Sequence, residues 1–166
     1  MIFMNDEDYM RLALAEARRA AELGEVPIGA VVVYEPIDPA TRRPMADPCV
    51  IAQACNLRET TRDPAGHAEF LAMRQAAVEL DAWRLTGCSV YVTLEPCIMC
   101  AGLMHQARID RCVYGAADPK AGALGTLYHI NEDKRLNHSF EVASGVLGDE
   151  CSMLLRDFFA RKRKKK

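Results

Sequence analysis

The sequence predicts an α/β protein, a three-layer α/β/α sandwich built on a mixed central sheet of about five strands. Three observations predict it. β-Branched apolar runs alternate with segments of helical period along the chain, the pattern of helices packed on both faces of a sheet. The first two runs are separated by no helical segment and so form an antiparallel hairpin. The chain has 166 residues, half of them hydrophobic, which is enough for one substantial core. We therefore expect a single domain over residues 1–160, followed by a basic tail over 161–166.

Residues 6–23 place Tyr9, Leu12, Ala13, Ala17 and Ala20 at helical spacing, with Arg11, Glu16, Arg18, Arg19 and Glu22 between them. That is an amphipathic helix, capped by Asn5 or Asp6 and ended by Gly24. After Pro27, residues 28–34 form a β-branched buried strand, and residues 49–55 its hairpin partner. Between them, residues 35–48 hold Pro36, Pro39, Pro44 and Pro48, half of the chain's eight prolines. That density forbids regular ladder pairing and predicts a stiff surface excursion.

A helix follows over 66–80, with Phe70, Leu71, Met73, Ala77 and Val78 turned inward and Asp63 available as a cap. Residues 88–94 are a strong strand, closed by Pro96, and a helix over 97–107 comes next. Pro96 suits the first turn of that helix, where no N–H is needed. A short strand at 112–115 leads into a loop marked by Gly122 and Gly125. A possible fifth strand lies at 140–143 and a closing helix at 149–161. Helical connections favour parallel pairing of the second strand with the third and of the third with the fourth.

No apolar run approaches the roughly 20 residues that span a bilayer. The N-terminus turns acidic at once and lacks the basic start and apolar middle of a signal peptide, which points to the cytoplasm and away from membranes. Seven cysteines are an odd and scattered set, unlike a secreted disulfide framework. Cys49, Cys55, Cys88, Cys112 and Cys151 read as buried reduced thiols. The net charge of −2 hides an asymmetry: the last six residues are all basic, which leaves −8 on the rest. Such a tail is a candidate nucleic-acid arm or, more blandly, a solvated and frayed end.

The chemistry is concentrated in two segments. Ala65-Gly66-His67-Ala68-Glu69 supplies an imidazole and a carboxylate two residues apart, and Pro96-Cys97-Ile98-Met99-Cys100 supplies two thiols at i and i+3. Alone, His67 reads as a core histidine, Glu69 as a solvent-facing helical residue, and the cysteine pair as a redox couple or half a structural zinc site. Together, one His and two Cys suit one zinc ion per chain, with a fourth position left for water. Glu69 is then the proton carrier. On a regular helix residues two apart point roughly 200° from each other. His67 and Glu69 can address one ion only from the first turn of a helix, so we expect two helix starts to converge at the carboxyl ends of neighbouring strands.

These motifs, with Glu25-Val26-Pro27-Ile28-Gly29-Ala30-Val31, Thr93-Leu94-Glu95-Pro96, Tyr114-Gly115-Ala116 and Asp157-Phe158-Phe159, resemble the cytidine-deaminase-like superfamily, and within it the bacterial tRNA-specific adenosine deaminases. The resemblance runs through most of the chain. It implies zinc-dependent hydrolytic deamination of the wobble adenosine to inosine in the anticodon loop of an arginine tRNA, within a homodimer. By position, His67, Cys97 and Cys100 match the zinc ligands and Glu69 the catalytic proton shuttle. Asn56 matches a substrate-contacting residue, although an isolated Asn there also reads as a turn residue. Asp118 and Lys120 match a segment near the RNA. Phe159 and Arg161 lie on a helix resembling the RNA-facing one, with core packing the competing reading for the phenylalanines.

The 35–48 excursion departs from the family's short turn. On the RNA side it would alter the footprint; on the opposite side it is decoration. Two other functions compete. One is a deaminase of a free base or nucleoside, of guanine or cytosine type. The other is a non-catalytic RNA-binding subunit with a structural zinc.

Overall fold

A computed structural model of the chain describes residues 4–165. Five strands form one open sheet in the order β2-β1-β3-β4-β5. They are β1 (Gly29–Tyr34), β2 (Cys49–Cys55), β3 (Cys88–Leu94), β4 (Arg111–Ala116) and β5 (Glu141–Ala143). The helices are α1 (Asp6–Glu22), a single turn α2 (Arg58–Thr61), α3 (Ala68–Glu79), α4 (Ile98–Ala107) and α5 (Gly148–Lys164). This is the mixed five-stranded α/β architecture expected of the sequence. Among the described residues no helix is long and apolar enough to cross a membrane.

Each central strand divides its side chains between two cores. Ala30 and Val32 of β1 join Val90 and Val92 of β3 under α3 and α4. Val31, Val33 and Tyr91 pack on the other face with Tyr9, Met10, Ala13 and Leu14 of α1 and Cys151 of α5. Burial on both faces is why β1 reads as one continuous apolar run rather than an alternation. Helix α1 sits close to the sheet because Gly29 lies under it, where a Cβ would collide with the backbone of Ala13 and Ala17.

The N-terminus of α1 is held by a capping box. The Asn5 side chain accepts from the amide of Asp8 at 3.0 Å, and the Asp8 carboxylate accepts from the amide of Asn5 at 3.0 Å. Asn5, not Asp6, is therefore the cap. Gly24, at φ +78°, follows the helix end as expected.

Strand order departs from the expectation. β3 pairs with β1, antiparallel, and not with β2. β1 is thus antiparallel to both neighbours, and β2 and β3 run the same way on either side of it. The β3–β4 pair is parallel as expected, and β4–β5 is parallel too.

The buried face of α3 consists of Ala68, Glu69, Ala72, Met73 and Ala76, while Val78 is 82% exposed. Small residues, not the large apolar ones, let this helix settle against β1 and β2. Asp63 does not cap α3; it accepts from the amide of Ala65 in the turn before it. Pro96 lies before the cap residue Cys97 and not within the first turn. Cys49 is exposed at the start of edge strand β2, whereas Cys55, Cys88, Cys112 and Cys151 are buried free thiols as expected.

The 35–48 excursion is an ordered loop held by one bridge, Ile37 to Pro44, and by Asp38 Oδ1 accepting from the amides of Ala40 and Thr41. It leaves the sheet where Tyr34, Cys49 and Cys88 meet. Helix α5 takes in Arg161 through Lys164, so the basic stretch continues the helix rather than fraying from it; Lys166 lies outside the described residues.

Candidate active site

His67 is the N-cap of α3 and Cys97 the N-cap of α4, each with extended backbone. Glu69 and Cys100 follow within the first turns. The spacing argument required two helix starts, and these are they. They belong, however, to helices that follow β2 and β3, between which β1 intervenes, so the site straddles the beginning of β1. Val26 and Ile28, just before that strand, consequently line the cleft with Asn56, Arg58, Leu94, Glu95, Asp118 and Ala121. Ligand donors thus gather at the carboxyl ends of the parallel strands, and the 35–48 excursion lies at the opposite end of the sheet.

The three donor atoms, His67 Nδ1 and the two Sγ atoms, lie within 4.8 Å of one another. Both sulfurs are 3.6 Å from Nδ1. Bonds of about 2.3 Å to sulfur and about 2.0 Å to nitrogen at a tetrahedral angle would separate the two donors by about 3.5 Å. Both His67–sulfur separations therefore fit a tetrahedral zinc ion. Among the described residues no fourth His, Cys, Asp or Glu joins the group. A closed structural site would need one, and a hydrolytic site would not.

The electrostatics of the group favour a metal as well. The Cys100 thiol and the His67 ring, both directed at Cys97 Sγ, hold the Cys97 thiol well below its ordinary value. Cys100 is pushed up by its contact with Cys97 and by burial, and His67 is pushed up by Cys97. A thiol lowered in this way suits a metal ligand, which binds as the thiolate. Glu69 is 4% exposed, and burial raises its carboxyl above the usual range. A carboxyl so placed holds and releases a proton closer to neutrality than a surface glutamate does.

Asn56 is also buried. Its Nδ2 donates to Val26 O at 3.2 Å and its Oδ1 accepts from the amide of Arg58 at 3.3 Å. It is both a turn residue and a cleft residue, since those two bonds leave one N–H and one lone pair available.

The cleft of about 200 Å³ thus unites Asn56, His67, Glu69, Cys97 and Asp118 from the sequence reading, with Cys100 completing the donor set beneath. Lys120, Phe159 and Arg161 do not line it. Phe159 is 41% exposed and meets Phe158 edge-on at 5.4 Å, and Arg161 borders a separate depression between α1 and α5. A larger open concavity of about 1690 Å³ runs beside residues 129–142 and contains none of the donors. Arg58 and Glu95 were missed by sequence reading. Arg58 is the only cation on the cleft wall among the described residues, and the one signal for it was its place two residues after Asn56.

The sequence profile of the MafB19-like deaminase family matches residues 4–163. A tRNA-specific adenosine deaminase of Bacillus subtilis (strain 168) is 47% identical over 161 residues, 97% of this chain and 92% of that protein. A solved structure reported in a study of A-to-I editing by tRNA:A34 deaminases at the wobble position superposes with a TM-score of 0.77 and 41% identity, covering 89% of this chain and 98% of that one. A guanine deaminase structure from Bacillus subtilis is more distant, with a TM-score of 0.59 and 32% identity over 74% of this chain and 71% of that one.

Proposed function

The chain belongs to the MafB19-like deaminases and, within them, to the tRNA-specific adenosine deaminases, and on that premise we propose that it converts the wobble adenosine of an arginine tRNA to inosine with a zinc ion held by His67, Cys97 and Cys100. One observation carries the reading: three donors close enough to share one ion, a buried glutamate two residues from His67, and no fourth protein ligand among the described residues. Zinc bound by this set supplies a Lewis acid that makes water nucleophilic near neutral pH.

Glu69 does the proton work. It takes one proton from the water whose oxygen adds to C6 and delivers it to N1 of the adenine. It then passes the second proton to the amino nitrogen as the C6–N bond breaks, so that ammonia leaves and C6 keeps the oxygen. Asn56 uses its free amide capacity to hold the sugar or base edge. Val26, Ile28 and Leu94 provide apolar walls for a base removed from the anticodon stack.

Asp118 on the cleft wall, with Lys120, Phe159 and Arg161 outside it, is assigned to the flanking nucleotides. The outward side of α4, with Ile98 56% exposed and Met99 and Leu103 half-buried, supports a second copy of the chain there, which sedimentation of the purified protein would detect as a dimer. A tRNA substrate supports a cytoplasmic location.

The test pairs an arginine tRNA transcript bearing the ACG anticodon with free guanine, cytosine and adenosine. Inosine at the wobble position, with the free compounds unchanged, is expected. Turnover of a free base with the tRNA untouched would overturn the reading. Glu69→Gln is expected to retain zinc and lose about 10²- to 10⁴-fold in rate. Full activity in that variant would remove Glu69 from its role, and four protein ligands on the zinc would make the site structural.

A further inference from the structure

The loop after β4 forms one wall of the cleft through Asp118 and Ala121. Beyond it Ala123 and Leu124 are buried in the core and anchor the middle of the loop, whereas Gly122 and Gly125 on either side have no side chain to pack. These two glycines bring the loop onto polar groups at the carboxyl edge of the sheet. A Cβ at Gly122 would fall on the Glu95 carboxylate, and one at Gly125 would lie 3.0 Å from the Tyr114 hydroxyl.

Glu95 is 2% exposed, and its Oε1 accepts from Thr126 Oγ1 at 2.6 Å. Its Oε2 is buried with no hydrogen-bond partner. An incompletely paired buried carboxylate is costly, and an apolar residue would avoid that penalty if filling space were the only need. The backbone joins the same pieces: Glu95 N donates to Ala116 O at 2.8 Å, and Ala123 N donates to Pro96 O at 2.9 Å. Glu95 therefore stands between the start of α4, with its cysteines, and the loop that closes the cleft.

We propose that Glu95 is a positioning residue for the deamination: its carboxylate seats the 118–126 loop, and so fixes Asp118 and Ala121 where the nucleotides beside the target base must lie. This role rests on the tRNA reading above. The carboxylate fits the task because a hydrogen bond is directional and fixes the loop at Gly122 and Thr126, on either side of the apolar anchor that Ala123 and Leu124 supply.

Four substitutions test it on the zinc-loaded protein with an anticodon stem-loop RNA. Thr126→Val removes the donor from the loop side at nearly constant volume, and Gly122→Ala places a methyl group on the carboxylate. Both are expected to raise KM by about threefold to tenfold with kcat and zinc content unchanged, the equivalent of one hydrogen bond removed. Glu95→Gln, which keeps an acceptor for Thr126, is expected to lose less affinity than Glu95→Ala. Backbone amide exchange at Gly122 and Leu127 should quicken in the two loop variants, because those amides close the loop on Asp118 and Gly122.

An unchanged KM in both loop variants overturns the proposal, whether or not exchange quickens. So does a loss of zinc or kcat at constant KM, which would make Glu95 a mere support for α4. A wild-type protein that leaves the stem-loop untouched overturns the tRNA reading and this role with it, whereas an active wild type with unaffected variants overturns this role alone.

Discussion

Asp6 shows how much one side chain can join. It opens α1, and its carboxylate receives both terminal nitrogens of Arg111, at 2.7 and 2.9 Å, and the Tyr91 hydroxyl at 2.9 Å. The Arg111 bonds, opposed by burial and helped by Tyr91, hold its carboxyl below the ordinary 3.8. The folded state then binds fewer protons than the unfolded chain, so stability rises with pH across that titration. The contribution is complete above pH 3.8 and disappears as pH falls through the lowered folded value. About a third of the side chain meets water, so Asp6→Asn is expected to remove only about 0.5 to 1 kcal/mol at pH 7. Thermal unfolding of both proteins from pH 7 down to pH 3 checks this: the gap should close below 3.8, and a constant gap would show that charge is not its cause. Asp6 was legible only as a possible cap, because its partner Arg111 is 105 residues away. His67, Cys97 and Cys100 were legible because their chemistry is set by spacing within two short segments. Glu95 was not, since its partner Thr126 lies across a loop and a glutamate beside Pro-Cys carries no mark of burial.

At the scale of elements, what is local was readable and what is mutual was not. The bounds of β2 and β3 follow from composition and breakers, and the sequence reading matches them residue for residue. Which strand lies beside which depends on what covers each one. The helical link from β2 to β3 suggested that they pair. It says only that they run the same way, and β1 fits between them because α3, which packs across β2 and β1, and the 80–87 segment after it carry the chain over β1 to β3. That insertion brings Val26 and Ile28 to the cleft, a consequence that no motif carried. Helix α3 misled for a different reason. Large apolar residues usually mark the buried side, yet its packing surface is Ala68, Ala72 and Ala76, which gives almost no amphipathic signal. An alanine face permits close approach, and close approach keeps the first turn of α3, with His67 and Glu69, within reach of the cysteines. The element that holds His67 and Glu69 is therefore the one whose orientation was hardest to read.

Over the whole molecule, charge is divided much as an RNA enzyme requires. Apart from its last six residues the chain carries −8, which opposes broad contact with a polyanion and confines attraction to a small area. Helix α5 concentrates that area: Asp149 and Glu150 lie in its first turn and Arg161 through Lys164 in its last, each sign opposite to the helix-dipole charge it faces. The basic end packs beside the end of α1, where Arg161, Lys162 and Lys165 surround a depression with Leu154 and Phe158 beneath them. From Gly24 in that depression the chain needs only two residues to reach Val26 on the cleft wall. The cations thus stand at the end of the sheet that bears His67, Cys97 and Cys100, and on the proposed function a strand whose base enters the cleft would rest its phosphates on them. Replacing Arg161, Lys162 and Lys165 together with Gln is expected to reduce the slope of log affinity against log salt for the stem-loop by about 2, near 0.7 for each phosphate no longer neutralised. The rate at saturating RNA should remain that of the wild type, because none of the three lines the cleft. A slope that does not change would remove α5 from the RNA interface and leave the cleft and its loop to bind the anticodon unaided. A lower saturating rate at constant slope would instead tie the helix to the chemistry and not to recognition.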